Sequence, residues 1–287
     1  MKPTSLDSST HMKKLLLPLL FLSLGFVGYA SAGTCGAPDL LEPDSTAFNR
    51  ELLIDIKGDT VAGYALVAAG AQKKETVLII KGYPGNDSNY DVSQQLRANG
   101  FNVIMFDHRG AWGSQGDYLY SNCLEDIELI IKYLSSPAIS KELRIDTSSF
   151  TLIGRSLGGG VALISGSQLP QVKKVIGISN VNYGALMQSY ETISELKGFK
   201  RYMKKQIMMN HDIQKFLIEL LENKEEYNIS NYSEQLSSKA VLLLEDTHKN
   251  DDWIELLDSP DIYYLDSDHN FINQREEMID KIIAWLK

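Results

Sequence analysis

Leu152-Ile153-Gly154-Arg155-Ser156-Leu157-Gly158-Gly159-Gly160 is the stretch that decides how this chain reads. Ser149-Phe150-Thr151 leads into it as a short β-rich run, and Val161-Ala162-Leu163 follows as the start of a small-residue helix. Strand, sharp turn and helix is the setting in which Gly-x-Ser-x-Gly lifts a serine hydroxyl above the end of a sheet. Such a turn has no room for side chains two residues either side of the serine, so glycine stands there. The backbone N–H of Leu157, directly after Ser156, is then placed to donate to a developing oxyanion. Alone the pattern is weak: with Gly and Ser each near 7% of ordinary sequence, chance supplies it in roughly one such chain in ten. Its meaning depends on the partners found elsewhere.

Outward from the elbow, strands alternate with helices. Glu51–Ile56 and Val61–Val67 are β-rich runs joined by Lys57-Gly58-Asp59-Thr60, which predicts a hairpin. Thr76–Ile80, Asn102–Phe106, Lys174–Ile178, Ala240–Leu244 and Asp261–Leu265 read as further strands. Ser88–Asn99, Ser121–Leu134 and Glu276–Leu286 read as helices. This alternation predicts an α/β fold, a mainly parallel sheet flanked by helices with right-handed crossovers. Val181–Ser238 breaks it: about 58 residues carry no strand-like run, only helical stretches near Ala185–Leu196, Phe199–Met209 and Ile213–Leu221. A helical cap inserted over about 181–238 is expected, with Met203, Met208 and Met209 as pocket-lining candidates beside the plainer reading of helix packing.

An activated serine needs a base that reaches its hydroxyl and an acid that fixes the tautomer of that base. At strand–turn–helix elbows of this kind the chain order is Ser, then Asp or Glu, then His. Of the five histidines, only His269 follows the last predicted strand, in Leu265-Asp266-Ser267-Asp268-His269-Asn270-Phe271. The acid belongs after Ala240–Leu244, in Glu245-Asp246-Thr247-His248-Lys249-Asn250-Asp251-Asp252-Trp253-Ile254. Asp251, with apolar Ile254 three residues on, is the expected acid, and Asp246 is the alternative nearer the strand end. Lys81-Gly82-Tyr83-Pro84-Gly85-Asn86, after the third strand, suits presentation of the Tyr83 N–H as second oxyanion donor. No Gly-Lys-Ser/Thr follows, so it is not a phosphate loop.

The 287 residues suffice for one large α/β domain. Net charge is −9, with no basic block to attract nucleic acid. Lys13-Lys14, the apolar run Leu15–Phe26 and Ala30-Ser31-Ala32 form the three parts of a secretory signal peptide, with cleavage expected near Ala32. Residues 1–32 are therefore set apart as leader, and 33–287 as the exported domain, periplasmic or secreted. The apolar run is too short for an ordinary membrane span, so no stable membrane insertion is expected after cleavage. Cys35 lies close enough to the cleavage site to suggest lipid attachment, which Thr34 before it disfavours. Export also permits a Cys35–Cys123 disulfide, the alternative being two unpaired thiols. No His/Cys/Asp cluster has zinc spacing, and neither metal nor cofactor is expected.

Together these residues resemble the α/β-hydrolase superfamily from about Glu51 to the end. Asp107-His108-Arg109-Gly110-Ala111-Trp112-Gly113-Ser114-Gln115-Gly116 is similar to its Asp-x-Arg-Gly-x-x-Gly-Ser-x-Gly loop. With Cys123-Leu124-Glu125-Asp126 and Asp268-His269-Asn270-Phe271, it resembles most the bacterial serine hydrolases of prolyl-oligopeptidase-like (S9) type. The elbow is also similar to esterase, lipase and thioesterase branches. The resemblance implies Ser156 as nucleophile, His269 as base, an aspartate after Leu244 as acid, and the Tyr83 and Leu157 N–H groups as oxyanion hole. It implies that Asp107 and Arg109 pin their loop by an ion pair. The chain departs from the pattern in three ways: nothing before Glu51 can build a β-propeller, the acid loop lacks its usual glycine, and only 18 positions separate Asp251 from His269. The expected substrates are small-molecule esters, with peptides second and a non-catalytic binding protein as the competing class.

Overall fold

A computed structural model describes residues 45–86 and 89–287. The leader and Cys35, and with them the expected cleavage site and disulfide, lie outside the described residues. The chain divides into Met1–Leu40 and Leu41–Lys287, and every described residue belongs to the second unit.

The eight strands are β1 (Phe48–Ile56), β2 (Asp59–Val67), β3 (Lys74–Ile80), β4 (Asn102–Phe106), β5 (Ile145–Arg155), β6 (Val172–Ile178), β7 (Ala240–Glu245) and β8 (Asp261–Tyr264). They form one sheet in the order β1-β2-β4-β3-β5-β6-β7-β8. The expected hairpin puts β1 antiparallel to β2, and β2 antiparallel to β4. From β4 to β8 every neighbouring pair is parallel. The helices are α1 (Tyr90–Ala98), α2 (Tyr120–Leu134), α3 (Pro137–Glu142), α4 (Leu157–Gln168), α5 (Tyr183–Met187), α6 (Lys197–Met203), α7 (Ile213–Glu222), α8 (Ser233–Ser237), α9 (Asp251–Ile254) and α10 (Arg275–Leu286).

The central strands are buried on both faces, which is why their sequences are continuously apolar. Leu78 and Ile80 of β3 and Leu152 of β5 point into the core layer formed with α2 and α4. Their neighbours Val77, Ile79 and Ile153 point the other way. Met278, Ile282 and Leu286, one stripe of α10, pack in that second layer. All but the last residue of α4 is buried among its glycines and small side chains, so it lies close against β5 and β6.

The segment between β6 and β7 is helical, but two of its helices stop early. Stretches expected to reach Leu196 and Met209 end at Met187 and Met203. The backbone from Met208 to Asn210 instead pairs with the loop after β4. Trp112 N–H donates to Met208 O (3.0 Å), Asn210 N–H to Gly110 O (2.7 Å), and Tyr118 N–H to Asn210 O (2.8 Å). Extended backbone with outside partners cannot stay helical. Met203 and Met209 are buried in packing, while Met208 is half-exposed beside the Trp112 loop.

Candidate active site

Ser156 stands between the last residue of β5 and the first of α4, with φ 57° and ψ −121°. A non-glycine residue held there costs about 1–3 kcal/mol. The surroundings leave it no alternative. Ser156 N–H donates to Ile178 O (2.8 Å), and its own carbonyl accepts from Gly159 N–H (3.0 Å) and Val181 N–H (3.1 Å). A Cβ on Gly154 would sit 2.0 Å from Gly158 O, and one on Gly158 would sit 2.3 Å from Ile80 O. The glycines are thus demanded by backbone crossing backbone. The Leu157 N–H opens α4 and has no acceptor within the helix.

The loop after β3 packs directly on the serine. At Gly82 a Cβ would lie 2.9 Å from Arg155 O and 3.0 Å from the Cβ of Ser156. Tyr83, next in sequence, is anchored by its side chain. Its hydroxyl donates to Nε2 of His211 (3.3 Å), whose Nδ1 donates to Met209 O (3.1 Å). Its ring lies among Tyr118, Tyr202 and Phe216. Burial, then the nearby Tyr202 hydroxyl, pushes the Tyr83 hydroxyl well above its ordinary pKa, so it stays a neutral donor.

The His269 loop is tied to the elbow by Arg155, the residue just before the serine. One guanidinium nitrogen donates to His269 O (3.0 Å) and to Asn270 Oδ1 (2.7 Å). Asp268 accepts from the Asn270 and Ile272 N–H groups, and fully buried Phe271 pins the loop from below. The His269 loop is thereby fastened to the residue that precedes Ser156.

Of the two acid candidates, the structure brings Asp246 and not Asp251 near His269. Asp251 turns away from His269: its carboxylate accepts from His248 Nδ1 (2.9 Å) and from the Tyr264 hydroxyl (2.6 Å), and His248 stacks on Tyr264. Asp246, nearly buried at the end of β7, has Oδ2 3.7 Å from His269 Nδ1. The reason is spacing. Residues 248–250 form a turn of 3-10 helix and α9 begins at Asp251, which carries Asp251 outward, whereas Asp246 immediately follows β7. Lys249, on that turn, donates to both oxygens of Asp246 (2.8 Å each). Burial works against ionisation of Asp246, but the Lys249 ammonium, the Ser179 hydroxyl and His269 together hold the carboxyl below its ordinary pKa. His269 is pushed below its ordinary value by burial first, then by the Lys249 and Arg155 cations, with Asp246 opposing. A neutral imidazole at neutral pH is what a base requires.

An alpha/beta hydrolase fold family profile matches residues 75–207, which span β3 to α6 and include the elbow. The chain has the α/β-hydrolase fold. No curated protein matches its sequence. Among solved structures it is similar to Est1E from Butyrivibrio proteoclasticus with ferulic acid bound, at 13% identity and a TM-score of 0.66, over 82% of this chain and 97% of that one. It is also similar to an esterase from Pyrococcus furiosus (16% identity, TM-score 0.58, 85% of this chain and 91% of that one). A third similar structure is a 2,6-dihydroxy-pseudo-oxynicotine hydrolase (20% identity, TM-score 0.59, 84% and 68%). None of these singles out the prolyl-oligopeptidase-like branch.

Around the site the chain carries two buried polar clusters. The expected Asp107–Arg109 pair is not made. Asp107 pairs with Lys81 (2.6 Å), while Arg109 donates to Asp126 (2.5 Å) and Glu125 (2.8 Å). His108 Nδ1 shares Asp126 (3.0 Å), and Lys57 pairs with Glu125 from the β1–β2 turn. The loop is pinned as expected, but to α2. Cys123, in the same helix, is fully buried. The second cluster centres on Glu245, which accepts from the Asn180 side-chain amide (2.6 Å), the Asn180 N–H (3.2 Å) and the Asn250 amide (2.7 Å). Burial pushes its carboxyl up to about 7 against those donors, with Asp246 adding to the rise. Sequence reading missed Arg155, Lys249 and Glu245. The first had a signal, being a cation within an otherwise apolar strand end, and the other two looked like an ordinary acidic loop. Among the described residues no group of three or more His, Cys, Asp or Glu side chains is placed to hold a metal ion. No described helix is long and apolar enough to cross a membrane.

Proposed function

We propose that this chain is an exported serine hydrolase acting on small-molecule carboxylic esters. Ser156 is the nucleophile, His269 the base and Asp246 the acid, with the Leu157 and Tyr83 N–H groups as oxyanion hole. The observation that carries the reading is the convergence on Ser156: a strained serine at the strand–helix corner, the β3 loop pressed on its Cβ, and Arg155 fastening the His269 loop beside it.

The chemistry follows from those positions. With Nδ1 facing Asp246, His269 presents Nε2 as the nitrogen that takes the Ser156 proton. Oγ attacks the carbonyl carbon, charge collects on the carbonyl oxygen, and the two backbone donors stabilise it. The alcohol leaves with the proton from His269, and water then attacks the acyl-enzyme by the same route. Esters are favoured over peptides because two of the similar structures are esterases or carry a bound carboxylic acid, which supports that class. Export is supported by the basic, apolar and small-residue segments before Gly33.

A fluorophosphonate probe and a series of p-nitrophenyl esters test the reading. Wild-type protein is expected to label and to hydrolyse short acyl esters, and Ser156→Ala to do neither while keeping its Tm. His269→Ala should lose both by at least about a thousandfold. A folded wild type that neither labels nor turns over any ester would sink the proposal in favour of a binding role.

A further inference from the structure

The acid corner holds a competition that the rest of the site does not explain. Both Asp246 oxygens are taken by the Lys249 ammonium at 2.8 Å. Nδ1 of His269 stands 3.7 Å from Oδ2, beyond hydrogen-bond reach. The lysine is the closer and stronger partner. The two partners are about equally exposed, Lys249 at 44% on a single turn of 3-10 helix and His269 at 43%, while Asp246 is 6% exposed at the end of a strand. The buried carboxylate thus has two basic neighbours within 4 Å, the lysine ammonium and the histidine ring.

We propose that Lys249 is a positioning residue that holds the Asp246 carboxylate back from His269, leaving the triad partly uncoupled until the ammonium moves aside. This rests on the triad reading above. Three charged groups face His269: Arg155 from the end of β5, and Asp246 and Lys249 from the segment after β7. Two of them are cations, so the imidazolium that forms during catalysis meets repulsion where a triad ordinarily offers attraction. Removing the Lys249 charge both lifts that repulsion and frees an oxygen of Asp246 to accept from Nδ1.

The test is Lys249→Met, with Lys249→Arg as the conservative variant and Asp246→Asn as the background control. The His269 imidazole is titrated by NMR, and kcat and KM for a short acyl ester are followed against pH. Lys249→Met is expected to raise the imidazole pKa by about one unit, move the acid limb of the rate profile up with it, and raise plateau kcat several-fold at unchanged KM. Lys249→Arg should restore the wild-type titration. In the Asp246→Asn background the kcat gain should vanish, because there is no carboxylate to release. An unmoved titration, or a fall in kcat with Lys249→Met, overturns the proposal and makes Lys249 either a bystander or a support of the acid. The NMR titration does not depend on turnover, so a failure of the hydrolase reading would show in the probe and ester assays alone.

Discussion

The proposed nucleophile side of the site and its proposed acid–base side are built by different means. At the elbow, backbone meets backbone: Gly154, Gly158 and Gly82 are pressed against carbonyls and the Ser156 Cβ, and no side chain chooses the geometry. Across the sheet end, side chains decide everything. Arg155 holds the His269 loop, Lys249 holds Asp246, and Asp251 is claimed by His248 and Tyr264. Steric demands of the first kind tolerate no substitution. Charge pairings of the second kind can be re-partnered.

Gly158→Val should break the first side outright. Its Cβ would lie 2.3 Å from Ile80 O and 2.6 Å from Lys81 O, neither of which can yield without parting β3 from α4. Circular dichroism and a melting curve are expected to show no cooperative fold, and a stably folded variant would refute the steric account.

On the second side, Asp246→Asn and Asp251→Asn sharpen the comparison. The first should lower kcat by about a thousandfold or more through the wrong His269 tautomer. The second should change it less than threefold, because Asp251 serves the exposed His248 and Tyr264. A reversal of that ranking would return the acid to Asp251 and discredit the geometry after β7.

The smallest effect concerns Glu245. Its folded pKa, about 7, lies above the ordinary 4.5, so in that window folding takes up a proton. The contribution therefore favours the folded state at low pH and is lost as pH rises from about 4.5 to about 7, by up to roughly 3 kcal/mol. Glu245→Gln should flatten this part of the stability–pH curve obtained by denaturant titration. An unchanged slope would mean the carboxyl is ionised throughout.

How much could be read beforehand follows the same division. Glycine at fixed spacing and continuous apolar runs are local signals, so the elbow, the parallel strands and the place of His269 were legible from residues alone. The choice between Asp246 and Asp251 was not. Both lie after β7 with the same chemistry, and only the 3-10 turn at 248–250 decides which carboxylate faces inward. Likewise Arg109 and Asp107 sit two apart, yet each finds its partner on another element, α2 for the first and the end of β3 for the second. Helix ends in the insertion were misplaced because the backbone at 208–210 is recruited by a loop nearly a hundred residues earlier.

That recruitment sets a rule for anyone transplanting pieces of this protein. The stretch Met208–His211 is stitched to the Trp112 loop and to the Tyr83 hydroxyl, so it packs with the loops after β3 and β4 although it belongs by sequence to the insertion. A chimera that exchanges residues 183–201 and leaves 202–211 in place would alter the first part of the insertion while keeping the Tyr202 ring and the His211 imidazole that steady Tyr83. The natural seam for exchanging this insertion therefore runs through its middle, not at its ends.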